Sequence, residues 1–82
     1  MTEYEKQQAI LFKDCFGTDT GKRVLDNLSG YCFENRSTFV EGSHDKQNVN
    51  QGKRSVILYI REILNRNLDE KVVEFKNENN YI

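Results

Sequence analysis

The chain has 82 residues, with 12 Lys and Arg against 13 Asp and Glu, a formal net charge of -1 and 37% apolar residues. That length excludes Rossmann, TIM-barrel and kinase folds, which need roughly 150 residues or more. Two cysteines cannot staple a disulfide scaffold, and the apolar run Val56-Ile57-Leu58-Tyr59-Ile60 is far shorter than the ~20 residues of a membrane-spanning helix. Nor is the balance that of a polycation built for nucleic acid. A domain of this size buries only about 60–65% of its unfolded surface. A partner or self-association is therefore expected to complete its small core.

Met1 to Lys6 carries Glu3, Glu5 and Lys6 and no apolar run. No secretory signal is expected, and Cys15 and Cys32 read as reduced thiols. From Thr2 to Phe16 the pattern is helical, with Tyr4, Leu11, Phe12, Cys15 and Phe16 on one face and Gly17 as the stop. Thr18 or Thr20 can cap a second helix that runs to about Ser29, with Val24, Leu25 and Leu28 as its apolar stripe. Residues 31–47 read as a long structured loop, tied to the core by Tyr31, Phe33 and Phe39. Ser43 or Asp45 can cap a third helix reaching about Asn65, whose stripe is Val49, Val56, Ile60, Ile63 and Leu64. Beyond Arg66, Leu68, Val72 and Phe75 keep helical spacing and allow a short fourth helix, with 77–82 as a tail.

The expected fold is all-α, a small bundle of three main helices with a long structured loop between the second and third. We divide the chain into a helical domain over 1–66 and a C-terminal extension over 67–82. The expected core is Leu11, Phe12, Phe16, Val24, Leu25, Leu28, Val49, Val56, Ile60, Ile63 and Leu64. Charge is uneven: residues 51–66 sum to +3 and residues 67–82 to -2.

Gly17-Thr18-Asp19-Thr20-Gly21-Lys22-Arg23 has three residues between its glycines where a phosphate loop needs four, and Arg23 stands where the magnesium-binding hydroxyl would be. It reads as a capped helix-to-helix turn. Gly21-Lys22-Arg23 recurs as Gly52-Lys53-Arg54. A glycine inside a helix costs roughly 1 kcal/mol against alanine. The repeat therefore suggests that helices two and three cross at the two glycines. Lys22, Arg23, Lys53 and Arg54 would then form one anion-binding patch. A basic helical face of Lys53, Arg54, Arg61 and Arg66 could track phosphates, but the loop is too long for a helix-turn-helix. No catalytic, cofactor or metal site is expected. His44 lies in the loop, nothing brings it to Cys15 or Cys32, and both cysteines sit where core residues would. Asp69-Glu70 reads as a helix-start dipole match.

Phe16-x-x-x-x-Gly21-Lys22-x-Val24-Leu25-x-x-Leu28, then Cys32, then Ser37-x-Phe39-Val40-x-Gly42, then Gly52-Lys53-Arg54-Ser55-Val56-x-Leu58-x-Ile60 resembles the Bbp-nineteen-like small tailed-phage proteins. The resemblance covers about residues 11–65 and finds no counterpart past Arg66. This chain lacks the proline that family members often carry in the loop after the Phe-Val pair. The resemblance implies a non-enzymatic accessory or structural protein that docks on a larger viral assembly at the head, connector or DNA-packaging stage. Its partner would be a phage structural or packaging protein, with self-association as a further route. Its location would be the host cytoplasm during infection, or the virion. The alternative is a small regulatory or host-directed protein, touching nucleic acid through the basic helix. The candidate interaction residues are Lys22, Arg23, Lys53, Arg54, Arg61, Tyr31, Arg36 and Phe39.

Overall fold

A computed structural model describes residues 1–73. Three helices follow one another: α1 (Glu3–Phe16), α2 (Asp19–Tyr31) and α3 (His44–Leu64). No strand lies among the described residues, so the all-α three-helix bundle stands.

Each helix begins at a hydroxyl cap. Thr2 Oγ1 accepts the Glu5 N–H at 3.1 Å, while the Thr2 N–H donates to the Glu5 carboxylate at 2.7 Å, a reciprocal capping box. That second bond holds the Glu5 carboxyl below its ordinary range. Thr18 Oγ1 accepts the Gly21 N–H at 2.9 Å, and Ser43 Oγ accepts the Lys46 N–H at 3.2 Å. Thr18 rather than Thr20 caps α2, and Ser43 rather than Asp45 caps α3. α2 continues past Ser29 and Gly30 to Tyr31.

The buried side chains are Ala9, Leu25, Cys32, Ile57 and Ile63. Phe16, Leu28, Ile60 and Leu64 pack around the cluster of Leu25, Cys32 and Ile57. Several expected core residues lie outside it. Leu11 is 68% exposed and Val56 54% exposed, and Val24 and Val49 are exposed as well. Two effects moved the register. Ala9 and Cys32 are small residues, and α1 turns the face of Ala9, Phe12 and Phe16 inward, leaving Tyr4, Leu11 and Cys15 outside. α3 is also longer than its neighbours. Its 21 residues span ~31 Å, against ~21 Å for α1 and ~20 Å for α2. Neither helix covers the exposed Val49 on the first half of α3.

The expected crossing of helices two and three at Gly21 and Gly52 does not occur. Gly21 packs on the end of α1, where an added Cβ would overlap the Cys15 carbonyl oxygen and lie 2.9 Å from Phe16 Cα. The missing side chain lets α2 turn tightly off α1. Gly52 faces open space, with no atom of the described residues within 4 Å of where its Cβ would be.

Polar bonds and an aromatic contact join α1 to α3 and the residue just beyond it. Lys13 Nζ donates to the Leu64 carbonyl at 2.6 Å, capping the end of α3. Arg66 donates to the Glu5 carbonyl and to Gln8 Oε1, both at 2.9 Å, and Gln8 Nε2 donates to the Tyr59 hydroxyl at 2.7 Å. Phe12 sits edge-on to both Phe16 and Tyr59, with centroids 6.3 Å apart in each pair.

After Arg66 the chain makes a turn at 67–70, in which Asn67 Oδ1 accepts the Asp69 N–H at 2.9 Å. It then returns to the N-terminus, where the Val73 N–H donates to the Met1 carbonyl at 2.7 Å and the Met1 ammonium meets Glu70 Oε2 at 2.8 Å. No helix forms over 67–73. The part of the expected fourth helix around Phe75, and the tail at 77–82, lie outside the described residues.

Candidate functional site

The candidate residues divide by what their side chains are already doing. Arg61 is occupied. Its Nε donates to Glu34 Oε2 at 2.8 Å and its Nη2 to Glu34 Oε1 at 3.0 Å, a two-pronged guanidinium–carboxylate pair. Ser29 Oγ adds a third bond to Glu34 at 2.6 Å. The Arg61 bonds, then the Ser29 bond, hold the Glu34 carboxyl below its ordinary range, and Glu34 in turn raises Arg61. Arg36 is partly occupied, since Nη2 donates to the Gly30 carbonyl at 3.0 Å while its guanidinium lies 3.9 Å over the Phe33 ring.

These contacts pin the start of the loop against α2 and α3. α2 ends with the Glu34 N–H on the Ser29 carbonyl at 3.1 Å and the Phe33 N–H on the Gly30 carbonyl at 3.4 Å. That double bond closes a Schellman cap, whose left-handed residue is usually glycine. Here it is Phe33, at φ 60°. A bulky residue in that region is strained by about 1–2 kcal/mol. The conformation places the ring near two cations, with the Arg36 guanidinium 3.9 Å and the Lys53 ammonium 5.9 Å from its centroid. Phe33, expected as a core anchor, is half-buried, and no sequence pattern marks Glu34. Nothing in residue spacing announces a left-handed Phe. The pairing of Glu34 with Arg61, 27 positions later, is equally invisible there.

Tyr31 and Phe39, expected to tie the loop to the core, are 63% and 66% exposed. The loop is held instead by polar bonds: Glu34 to Arg61, Arg36 to Gly30, and Asn50 Nδ2 to the Thr38 carbonyl at 3.4 Å. Gly42, at φ 76°, makes the turn that brings Ser43 to the start of α3.

The structure brings Tyr31 and Lys53 together, with the ammonium 4.1 Å over the ring. Lys22, Arg23, Lys53 and Arg54 make no hydrogen bond or ion pair within the described residues. They do not share one setting. Arg23 lines a groove along the outer face of α2 with Thr20, Val24, Asn27, Leu28 and Tyr31, a cavity of about 470 Å³. Lys22 lies outside that lining. Cys15, expected inside, is exposed, whereas Cys32 is buried. No helix among the described residues is long and apolar enough to cross a membrane.

The family model described as Bbp19-like phage protein matches residues 12–75. The chain belongs to this family. The match takes in the α1–α2 corner, the pinned loop, all of α3 and the turn at 67–70. The stretch just past Arg66 is therefore part of the family pattern, which corrects the shorter reach expected from the resemblance. No match was found among curated proteins or among solved structures.

Proposed function

We propose that this Bbp19-like protein is a non-enzymatic accessory protein that docks on a larger viral assembly during head or connector building or DNA packaging. Membership of a phage family supports the viral setting. The observation that carries the docking role is the contrast between a very small core and a generous uncovered apolar surface. Ile57 and Ile63 are the largest fully buried side chains, while Tyr4, Leu11, Val24, Tyr31, Phe39 and Val49 stand exposed. A domain with so little inside and so much apolar surface outside gains most from a partner. On this reading the protein works in the host cytoplasm during infection or within the virion.

The basic-helix alternative draws less support. Of its four cations, Arg61 is spent on Glu34 and Arg66 on α1, which leaves Lys53 and Arg54 to face a phosphate backbone. The test is mass spectrometry of gradient-purified particles and of capsid assembly intermediates, with copy number. A stoichiometric count in either supports docking, and a count near that of a connector ring would place the protein at the head–tail junction. Absence from both would end the reading.

A further inference from the structure

We propose that the outer groove of α2 seats an acidic amphipathic helix of the assembly protein on which this chain docks. The viral identity of that partner rests on the function proposed above; the chemistry of the groove does not.

Thr20, Arg23, Val24, Asn27, Leu28 and Tyr31 recur at helical spacing along one stripe of α2. From Thr20 to Tyr31 the stripe is ~17 Å long, three turns of helix. Its floor is apolar and continuous with the interior, because Leu28 packs on the cluster of Leu25, Cys32 and Ile57. Val24 and Tyr31 stand exposed beside it. A helix carrying apolar residues at i, i+4 and i+7 can lay them against Val24, Leu28 and Tyr31.

The charge of the rim selects the partner. Arg23 lines the groove, and Lys53 sits over the Tyr31 ring at its far end. Among the described residues the lining contains no carboxylate. Neither Asp19 nor Asp26 of α2 forms an ion pair with Arg23. Two unspent cations flanking an apolar floor complement a helix with carboxylates beside its apolar stripe. A second copy fits less well. An isologous contact through this groove would bring Arg23 and Lys53 of both copies together, with no carboxylate among the described lining residues to offset them. A phosphate backbone would find its charge partners at the rim, with nothing to set against Val24 and Leu28.

The test is site-specific cross-linking of the full chain in infected cells. A photo-reactive p-benzoyl-phenylalanine replaces Tyr31, or Lys22 as a control outside the groove lining. Cross-linked peptides are then identified by mass spectrometry. The expected product from position 31 is a phage-encoded segment of net negative charge with apolar residues at helical spacing. Its yield should fall at least tenfold in Arg23→Glu/Lys53→Glu, with the circular dichroism melt of that variant unchanged. Val24→Ser, which keeps the charge and roughens the floor, should lower the yield as well. Cross-linking to a second copy, to nucleic acid or to a neutral or basic segment would overturn the proposal. So would no product at position 31, or equal yield from both positions. A host protein presenting an acidic amphipathic helix would uphold the groove while overturning the viral docking role. A phage protein cross-linked through a segment without acidic residues would do the reverse.

Discussion

Gly21 and Gly52 open the same tripeptide, Gly-Lys-Arg, and lie in opposite surroundings. At Gly21 the backbone of α1 presses directly on the α carbon, and Leu25 follows one turn later into the core. At Gly52 there is open space, and Val56 follows one turn later into solvent. The first glycine sits in a packed corner between two helices. The second sits on a solvent-facing side of α3. Identical local sequence therefore carries a packing role in one place and none in the other. What differs is only which helix lies alongside.

Five substitutions test this contrast. The largest effect is expected at Ile57→Ala, which empties a fully buried site beside Leu25 and Cys32 and should lose about 3–4 kcal/mol in chemical denaturation. Val56→Ala, one residue away but exposed, should change stability by less than about 1 kcal/mol. An equal loss at both would mean the register of α3 is not the one described.

Gly21→Ala comes next, because the new methyl group meets backbone rather than a flexible side chain. Overpacking of this kind should lose about 2–3 kcal/mol in the same assay. A neutral result would show that the α1–α2 corner can open at little cost.

Glu34→Gln should lose about 1 kcal/mol at pH 7, since it removes the charge from the bond to Arg61. The pH dependence gives a second readout. Glu34 has a lowered folded-state pKa, so its contribution is complete above the unfolded value of about 4.3 and fades as pH falls through the folded value. Melting temperatures between pH 5 and pH 2 should fall more steeply for the native chain than for Glu34→Gln. Parallel curves would show that the pair contributes nothing to acid stability.

The smallest effect runs the other way. Gly52→Ala should raise stability by about 0.5–1 kcal/mol, because the added methyl group improves helix propensity and touches nothing. A thermal melt that shifts downward would restore a packing role for Gly52.

Three main helices, their order and most of their ends were legible in the sequence, which left a short fourth helix open. Thr18, Ser43 and Gly17 mark boundaries through bonds to neighbours within a few residues, and such local chemistry is readable in one dimension. The basic candidates were visible too, but not their division into spent and unspent. Only the tertiary structure decided that Arg61 belongs to Glu34, that Phe33 takes a left-handed backbone, and that Tyr31 and Lys53 meet at the end of a groove. It also decided which apolar residues are inside. Ala9 and Gly21 are buried, while Val49 is exposed on the uncovered first half of α3 and Val56 on the face turned away from the core beside the buried Ile57. Periodicity ranks positions by the hydrophobicity of one helix. Burial depends on the second helix that covers it, and that partner is set by contacts far apart in the chain.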